Sequence, residues 1–348
     1  MVRMNTVIAM KLFASKILSR PEISVRQWGR MLKQAPWILL ASCVIGTFPS
    51  IVVAFEQRSL VSVVTVIPLW PGHTLGGEPG TPPGSAPEGT AIAVLPEGFL
   101  ATALHVVDRA TEITVKLHDG RRLMAQFVAG DTATDIALLR VLEEFPVLTL
   151  APEPTLGTEV CAVGNQFGLG LSVTCGVVSA TRRTGTGFNP VEDFVQTDAT
   201  VNPGSSGGAL LDDQGRLVGM LSAIFTKGSD ADIGVNFAVS SALLMRVVRD
   251  LATHGRFLRP NAGLRVRDLT SEEAMRAVGA RVAQVTPGQP ADLAGILEDD
   301  LVAAVGDRSI QRASDLITAI ALNRSGDEVT FKLRRKEQEL SVGLTLSR

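Results

Sequence analysis

Cysteine and histidine are scarce in this 348-residue chain, at three and four residues. The cysteines are Cys43, Cys161 and Cys175, and Cys43 lies in an apolar run, so at most one bridge is open to the remainder. That excludes a disulfide-framework domain, and no Cys/His spacing matches a zinc site. Neither a metal nor a cofactor is expected. Spacing does not decide whether Cys161 and Cys175 meet, and two buried thiols is the plainer reading. An excess of charge is also lacking. Lys and Arg number 33 against 35 Asp and Glu, a formal net charge of −2. A general nucleic-acid binder is normally clearly basic, so that class is set aside.

The chain does have enough apolar residues to build cores: 45% are hydrophobic and 20% charged. Its length predicts two or three domains. Residues 35–55 carry no charge over 21 positions, which is enough to cross a bilayer as a helix at roughly 20 residues per span. Arg3, Lys11, Lys16, Arg20, Arg26, Arg30 and Lys33 precede this run, against one acid, Glu22. Positive charge on that side predicts that 1–34 stays in the cytoplasm and the globular remainder is exported. The favoured reading is a single-pass anchor facing the periplasm or exterior. Two alternatives remain: a signal peptide cleaved near Val52-Val53-Ala54, with Met31 as a later start, and an organellar presequence.

From residue 56 to 255 short β-branched runs recur between turns. The strands expected are 60–67, 90–95, 99–103, 112–117, 122–129 and 136–141, then 159–163, 171–180, 194–197, 209–212, 217–225 and 235–239. A Pro/Gly-rich loop spans 71–89, and the first long helix is expected at 241–253. Two sets of about six strands predict two antiparallel barrels or sandwiches.

Within the second set lies Asn202-Pro203-Gly204-Ser205-Ser206-Gly207-Gly208. A Gly/Ser stretch is usually a turn. Glycines around a serine can also aim consecutive N–H groups at one spot beside an exposed hydroxyl, which acyl transfer requires. A nucleophilic serine needs a base, and the base an orienting acid. His105 follows a strand, and Asp135 stands at the mouth of an apolar one. His73, His118 and His254 lie in a loop, beside a turn and at a helix end, and Asp131 and Asp108 are rival acids. The order His, Asp, Ser is one of the known orders of this triad.

Four segments carry a family resemblance: Thr102-Ala103-Leu104-His105-Val106-Val107, Thr134-Asp135-Ile136-Ala137-Leu138-Leu139, Val163-Gly164-Asn165-Gln166-Phe167-Gly168-Leu169-Gly170, and the run from Gln196 to Gly208. In this order and spacing they resemble the HtrA/Deg family of trypsin-like serine proteases. The resemblance implies Ser206 as nucleophile, His105 as general base and Asp135 as its orienting acid. It places the oxyanion hole in the Gly204, Ser205, Ser206 loop, at the N–H groups of Gly204 and Ser206. Thr200 is then the floor of the primary specificity pocket, uncharged and suited to small or medium apolar side chains. Leu221, Ser222, Ala223, Ile224 and Phe225 are the strand that pairs with substrate backbone. The chain departs from the family pattern at Ser205, usually Asn, at Gly89-Thr90-Ala91, usually Gly-Ser-Gly, and at Leu104, usually smaller.

Residues 259–348 resemble a bacterial-type PDZ domain through Gly263-Leu264, the run Pro287 to Ile296, and Asp300 to Gly306. The order expected is strand 263–267, helix 271–277, strand 281–285, helix 290–294, strand 301–305, helix 314–322 and a hairpin of 328–334 with 339–345. Such a domain takes a peptide as an added strand and holds its terminal carboxylate on loop N–H groups, here at Asn261, Ala262, Gly263 and Leu264. The fold expected is thus mostly β: an N-terminal membrane segment at 35–55, a double antiparallel β-barrel protease at 56–255 and a small α+β PDZ domain. The function expected is a serine endopeptidase for unfolded or damaged envelope proteins, a homotrimer by family resemblance. The alternatives are a membrane-anchored protease cutting one partner and a chaperone-like binder with little proteolysis.

Overall fold

The central strands of the region 59–255, such as Val63–Leu69 and Ala209–Asp212, read as nearly continuous apolar runs because they bury both faces. The computed structural model describes residues 59–73, 88–224 and 233–348. The basic segment 1–34, the run 35–55 and Phe225 fall outside them. Among the described residues no helix is long and apolar enough to cross a membrane.

The first sheet comprises β1 (Val63–Leu69), β2 (Gly89–Leu95), β3 (Phe99–Ala103), β4 (Glu112–Lys116), β5 (Arg122–Met124), β6 (Gln126–Asp131) and β7 (Ile136–Arg140). Its strand order is β5-β4-β1-β2-β3-β7-β6. The expected strand 122–129 is thus two strands, parted at Ala125, and they form opposite ends of one bent sheet. Side chains alternate across it with period two. Ala91, Ala93, Ala137 and Leu139 pack inside the sheet's own core. Ile92, Val94, Ile136 and Leu138 face the second half of the domain.

That second half is a closed six-stranded barrel in the order β10-β13-β12-β11-β8-β9. Its strands are β8 (Glu159–Gly164), β9 (Ser172–Arg183), β10 (Phe194–Thr197), β11 (Ala209–Asp212), β12 (Leu217–Ile224) and β13 (Asn236–Ser240). Val160, Ala162, Leu210 and Ala238 fill it, while Val163, Leu211 and Met220 turn outward to Ile92 and Leu138. The helix Ser241–His254 joins the same shared core through Leu243, Leu244, Val247, Val248 and Leu251, one helical face. Ser240 Oγ caps its start by accepting from Leu243 N at 3.2 Å, and left-handed Gly255 ends it.

Cys161 on β8 faces Cys175 on β9, with Cα atoms 4.0 Å apart, and the two form a disulfide. The expectation of two buried thiols is therefore corrected. The 14-residue separation conceals a direct cross-strand pairing, and Cys175 is exposed.

The C-terminal sheet has the order β14-β15-β16-β18-β19, with β17 beside β16. These are β14 (Leu264–Arg267), β15 (Ala280–Val285), β16 (Leu301–Val305), β17 (Arg308–Ser309), β18 (Glu328–Arg335) and β19 (Gln338–Thr345). The helix Ser271–Ala274 is shorter than expected and opens on a Thr270/Glu273 capping box. Pro290–Leu293 and Ala313–Ala321 complete the unit. Buried Asp300 accepts two 2.7 Å bonds from Arg335, tying β16's start to the hairpin.

This unit is bonded to the barrel's β9–β10 connection and to the helix Ser241–His254. Arg308 Nη2 donates to Asp193 Oδ1 at 2.5 Å, Thr318 Oγ1 to Glu192 O at 2.6 Å, and Arg246 Nε to Asn323 O at 2.8 Å.

Candidate active site

His105 and Asp135 are brought together where β3 and β7 end. β3 runs antiparallel to β7, with Ala103 facing Ile136, so the residues just past β3 meet those just before β7. The short helix Leu104–Val107 carries His105 there. Asp135 adopts φ +56, a left-handed conformation that Asp tolerates better than most residues. Asp131 shapes the turn: its Oδ2 accepts from Thr134 N at 3.1 Å and Thr134 Oγ1 at 2.8 Å, and Arg259 closes on its other oxygen. The rival acid of the sequence is thus a support for Asp135.

Three bonds then join the pair. Asp135 O accepts from Leu104 N at 2.9 Å, Oδ1 from His105 N at 2.9 Å, and Oδ2 from His105 Nδ1 at 2.6 Å. An ionised carboxylate only accepts, so Nδ1 carries the proton and Nε2 presents its lone pair. Burial lowers the His105 pKa, but the Asp135 hydrogen bond and charge, aided by Asp108, outweigh it and hold the pKa above 6.5. The His105 ring remains half-exposed, at 51% of its side-chain surface, against 16% for Asp135.

The glycine-serine loop packs against Thr90 and Thr102 of the first sheet. Ser205 N donates to Asn202 O at 3.0 Å, closing a turn with Gly204 at φ +94. Phe167 N holds Pro203 O at 2.7 Å, and Gly207 N and Leu221 O bond at 2.7 Å. The N–H groups of Gly204 and Ser206 meet no acceptor among the described residues. Ser205 differs, because its N–H is spent on the turn and its hydroxyl is buried with no partner among the described residues. Ser206 is half-buried, and its Oγ makes no hydrogen bond among the described residues.

Thr90, on β2, joins this loop to the first sheet. Its N–H donates to Ser206 O at 2.9 Å and its Oγ1 to Gly204 O at 2.7 Å, while Oγ1 accepts from Asn165 N at 2.9 Å. Thr102 Oγ1 in turn donates to Thr90 O at 2.7 Å. Gly207 has to be glycine, since a β-carbon there would stand 2.0 Å from Thr90 O. This contact seats the serine loop on the strand pair that leads to His105, with Thr102 three residues before it.

Comparison with known proteins decides the family. The trypsin-like peptidase domain family matches residues 89–220, and the PDZ domain family matches 231–346. The chain is 30% identical over 330 residues to the periplasmic pH-dependent serine endoprotease DegQ of Escherichia coli, covering 91% of this chain and 72% of that protein. The chain belongs to the HtrA/Deg family of serine proteases. Serine endoprotease DegS of Salmonella typhimurium is 32% identical over 271 residues, covering 74% of this chain and 76% of that one. A probable periplasmic DegP-like endoprotease of Chlamydia trachomatis is 36% identical over 270 residues. The alignment takes in 75% of this chain, which spans about half, 54%, of that relative. The solved structure of the HtrA-type protease AlgW with a tripeptide is 32% identical, with a TM-score of 0.67, covering 86% of this chain and 97% of that one.

In this HtrA-type chain the other expected residues are less uniform. Thr200 is exposed, and its carbonyl accepts from Thr174 Oγ1 at 2.5 Å and Gln166 Nε2 at 3.3 Å. Leu221 is buried, and both its backbone groups are used by the serine loop: its N donates to Gly208 O at 2.8 Å and its O accepts from Gly207 N. Ser222 is buried, and β12 slips register between Leu221 and Ala223, with Ala223 and Ile224 paired to Phe237 and Asn236 of β13. At the far domain Ala262 and Gly263 are buried, Asn261 is exposed and Leu264 begins the edge strand β14.

Sequence reading missed Glu192. Its buried carboxylate gathers the N–H groups of Thr186, Gly187, Phe188 and Asn189 at 2.7–3.0 Å, ordering the turn between β9 and β10. Its backbone O receives Thr318 from the C-terminal domain. No local pattern marks such an acid, because its partners are backbone groups of a loop.

Proposed function

We propose that the chain is a serine endopeptidase in which Ser206 is the nucleophile, His105 the general base and then acid, and Asp135 the group that orients His105. The observation that carries this reading is the bidentate His105–Asp135 pair beside a loop with two uncommitted N–H groups. Nε2 of His105 takes the Ser206 proton as Oγ attacks the peptide carbonyl carbon. The resulting oxyanion takes hydrogen bonds from Gly204 N and Ser206 N. The protonated imidazole then gives its proton to the leaving amine, and water, deprotonated by His105, hydrolyses the acyl-enzyme. Preorganised N–H donors aimed at the oxyanion are worth on the order of 10²–10³ in rate for each donor.

Substrates proposed are unfolded or damaged polypeptides outside the cytoplasm, as the periplasmic naming of the relatives supports. Thr200 would set a preference for small or medium apolar side chains, and within the run 221–225 the residues after Leu221, whose own backbone groups the serine loop uses, would take substrate backbone. The Asn261–Leu264 loop would capture C-terminal peptides, a reading supported by the PDZ domain match over residues 231–346. A homotrimer and membrane attachment through 35–55 complete the proposal. The test is digestion of denatured casein: the wild-type chain degrades it, whereas a Ser206→Ala variant leaves it intact. An intact substrate with both proteins, across temperature and with added C-terminal peptide, rejects the reading.

A further inference from the structure

Resting on the reading that the Asn261–Leu264 loop captures peptide C-termini, we infer that Asn261 competes from within for the place of the peptide's terminal carboxylate. Its side-chain Oδ1 accepts the Gly263 N–H at 2.8 Å, and that N–H belongs to the set an incoming carboxylate needs.

The loop geometry fixes which groups point outward. Asn261 is held from both backbone sides by Ser347, N to O at 3.0 Å and O from N at 2.9 Å. Ala262 O accepts from Ala291 N, and Gly263 O from Thr286 N, both at 2.8 Å. The carbonyls of Ala262 and Gly263 are thus turned into the domain. Gly263 has φ +76, and a β-carbon on it would stand 2.1 Å from Gln289 Cβ, so the position requires glycine. Leu264 faces Val285 across the ladder. Because Thr286 N bonds to Gly263 O, that facing pair is the non-hydrogen-bonded kind, and the Leu264 N–H points to the open edge of β14. Successive outward N–H groups at a left-handed turn make an anion-holding concavity.

In this chain the Asn261 amide oxygen already occupies part of that concavity. Asn261 is exposed, so its side chain can swing away without unpacking a core. A neutral amide oxygen is a weaker acceptor than a carboxylate, so a peptide displaces it and loses affinity by doing so. One neutral hydrogen bond surrendered corresponds to about a three- to tenfold loss of affinity.

The test uses the full chain carrying Ser206→Ala, so that peptide is not cut, and a fluorescent decapeptide with apolar C-terminal residues. The peptide is prepared with a free carboxylate and as its C-terminal amide. Asn261→Ala is expected to tighten binding of the free-acid peptide about three- to tenfold, with no gain for the amide. Asn261→Asp, which puts a fixed negative charge in the same place, is expected to bind the free acid more weakly than the parent. An unchanged or weakened free-acid Kd in Asn261→Ala overturns the inference and leaves the peptide-capture reading standing. Absence of free-acid binding in parent and variant alike overturns both.

Discussion

At the scale of single residues the site turns on the charge state of His105. In the proposed mechanism its neutral form is the base, and its pKa lies above 6.5 because the Asp135 bond and charge overcome burial. Peptidase activity is therefore expected to rise with pH through a midpoint above that of an ordinary histidine. In Asp135→Asn both contributions of that carboxylate vanish. The acid limb of the kcat/KM profile then moves to lower pH, while kcat falls on the order of 10⁴-fold because the imidazole loses its fixed tautomer. A pH–rate profile in which the variant's midpoint equals the wild type's contradicts this account. His105 and Asp135 were both legible in the sequence because each sits at the end of an apolar strand. The division of labour around Ser205 was not. The resemblance implied the N–H groups of Gly204 and Ser206, and the turn geometry adds that the Ser205 N–H is not available, because it goes to Asn202 O.

At the scale of elements the decisive object is the joint between β2 and the serine loop. Thr90 is fully buried, and its hydroxyl bridges Gly204 O and Asn165 N. Thr90→Val keeps the shape and the backbone bond to Ser206 O but orphans both polar groups, at about 1–3 kcal/mol for each. The expected result is a kcat lowered about tenfold or more on a quenched peptide substrate, with KM little changed and Thr90→Ser restoring the rate. An unaltered kcat in Thr90→Val speaks against a positioning role.

Strands were the most legible elements, since β-branched runs bounded by turns mark them directly. Their ends were less so. The run 122–129 hides the break at Ala125, because a bend between two strands leaves no mark in an apolar pattern. The helix Leu104–Val107 is a single turn whose residues would suit a strand as well. The Cys161–Cys175 bond depends on the register of β8 against β9, which spacing along the chain does not encode.

Across the whole molecule, two half-domains share a core from Ile92 and Leu138 to Met220 and Leu244. The residues proposed for catalysis are divided between those halves: His105 and Asp135 belong to the first sheet and Ser206 to the barrel. The site therefore exists only when the halves are packed. The C-terminal domain is bonded to the barrel through Asp193 and Glu192, contacts between residues more than 100 positions apart that sequence alone does not suggest. Packing of the two halves is expected to deliver one activated serine per chain. Labelling with a fluorophosphonate, followed by mass spectrometry of the digested protein, reads this out. One adduct per chain is expected, on Ser206, forming faster as pH rises past the His105 midpoint and lost in His105→Ala. Labelling elsewhere, or none under conditions where casein is degraded, would contradict it.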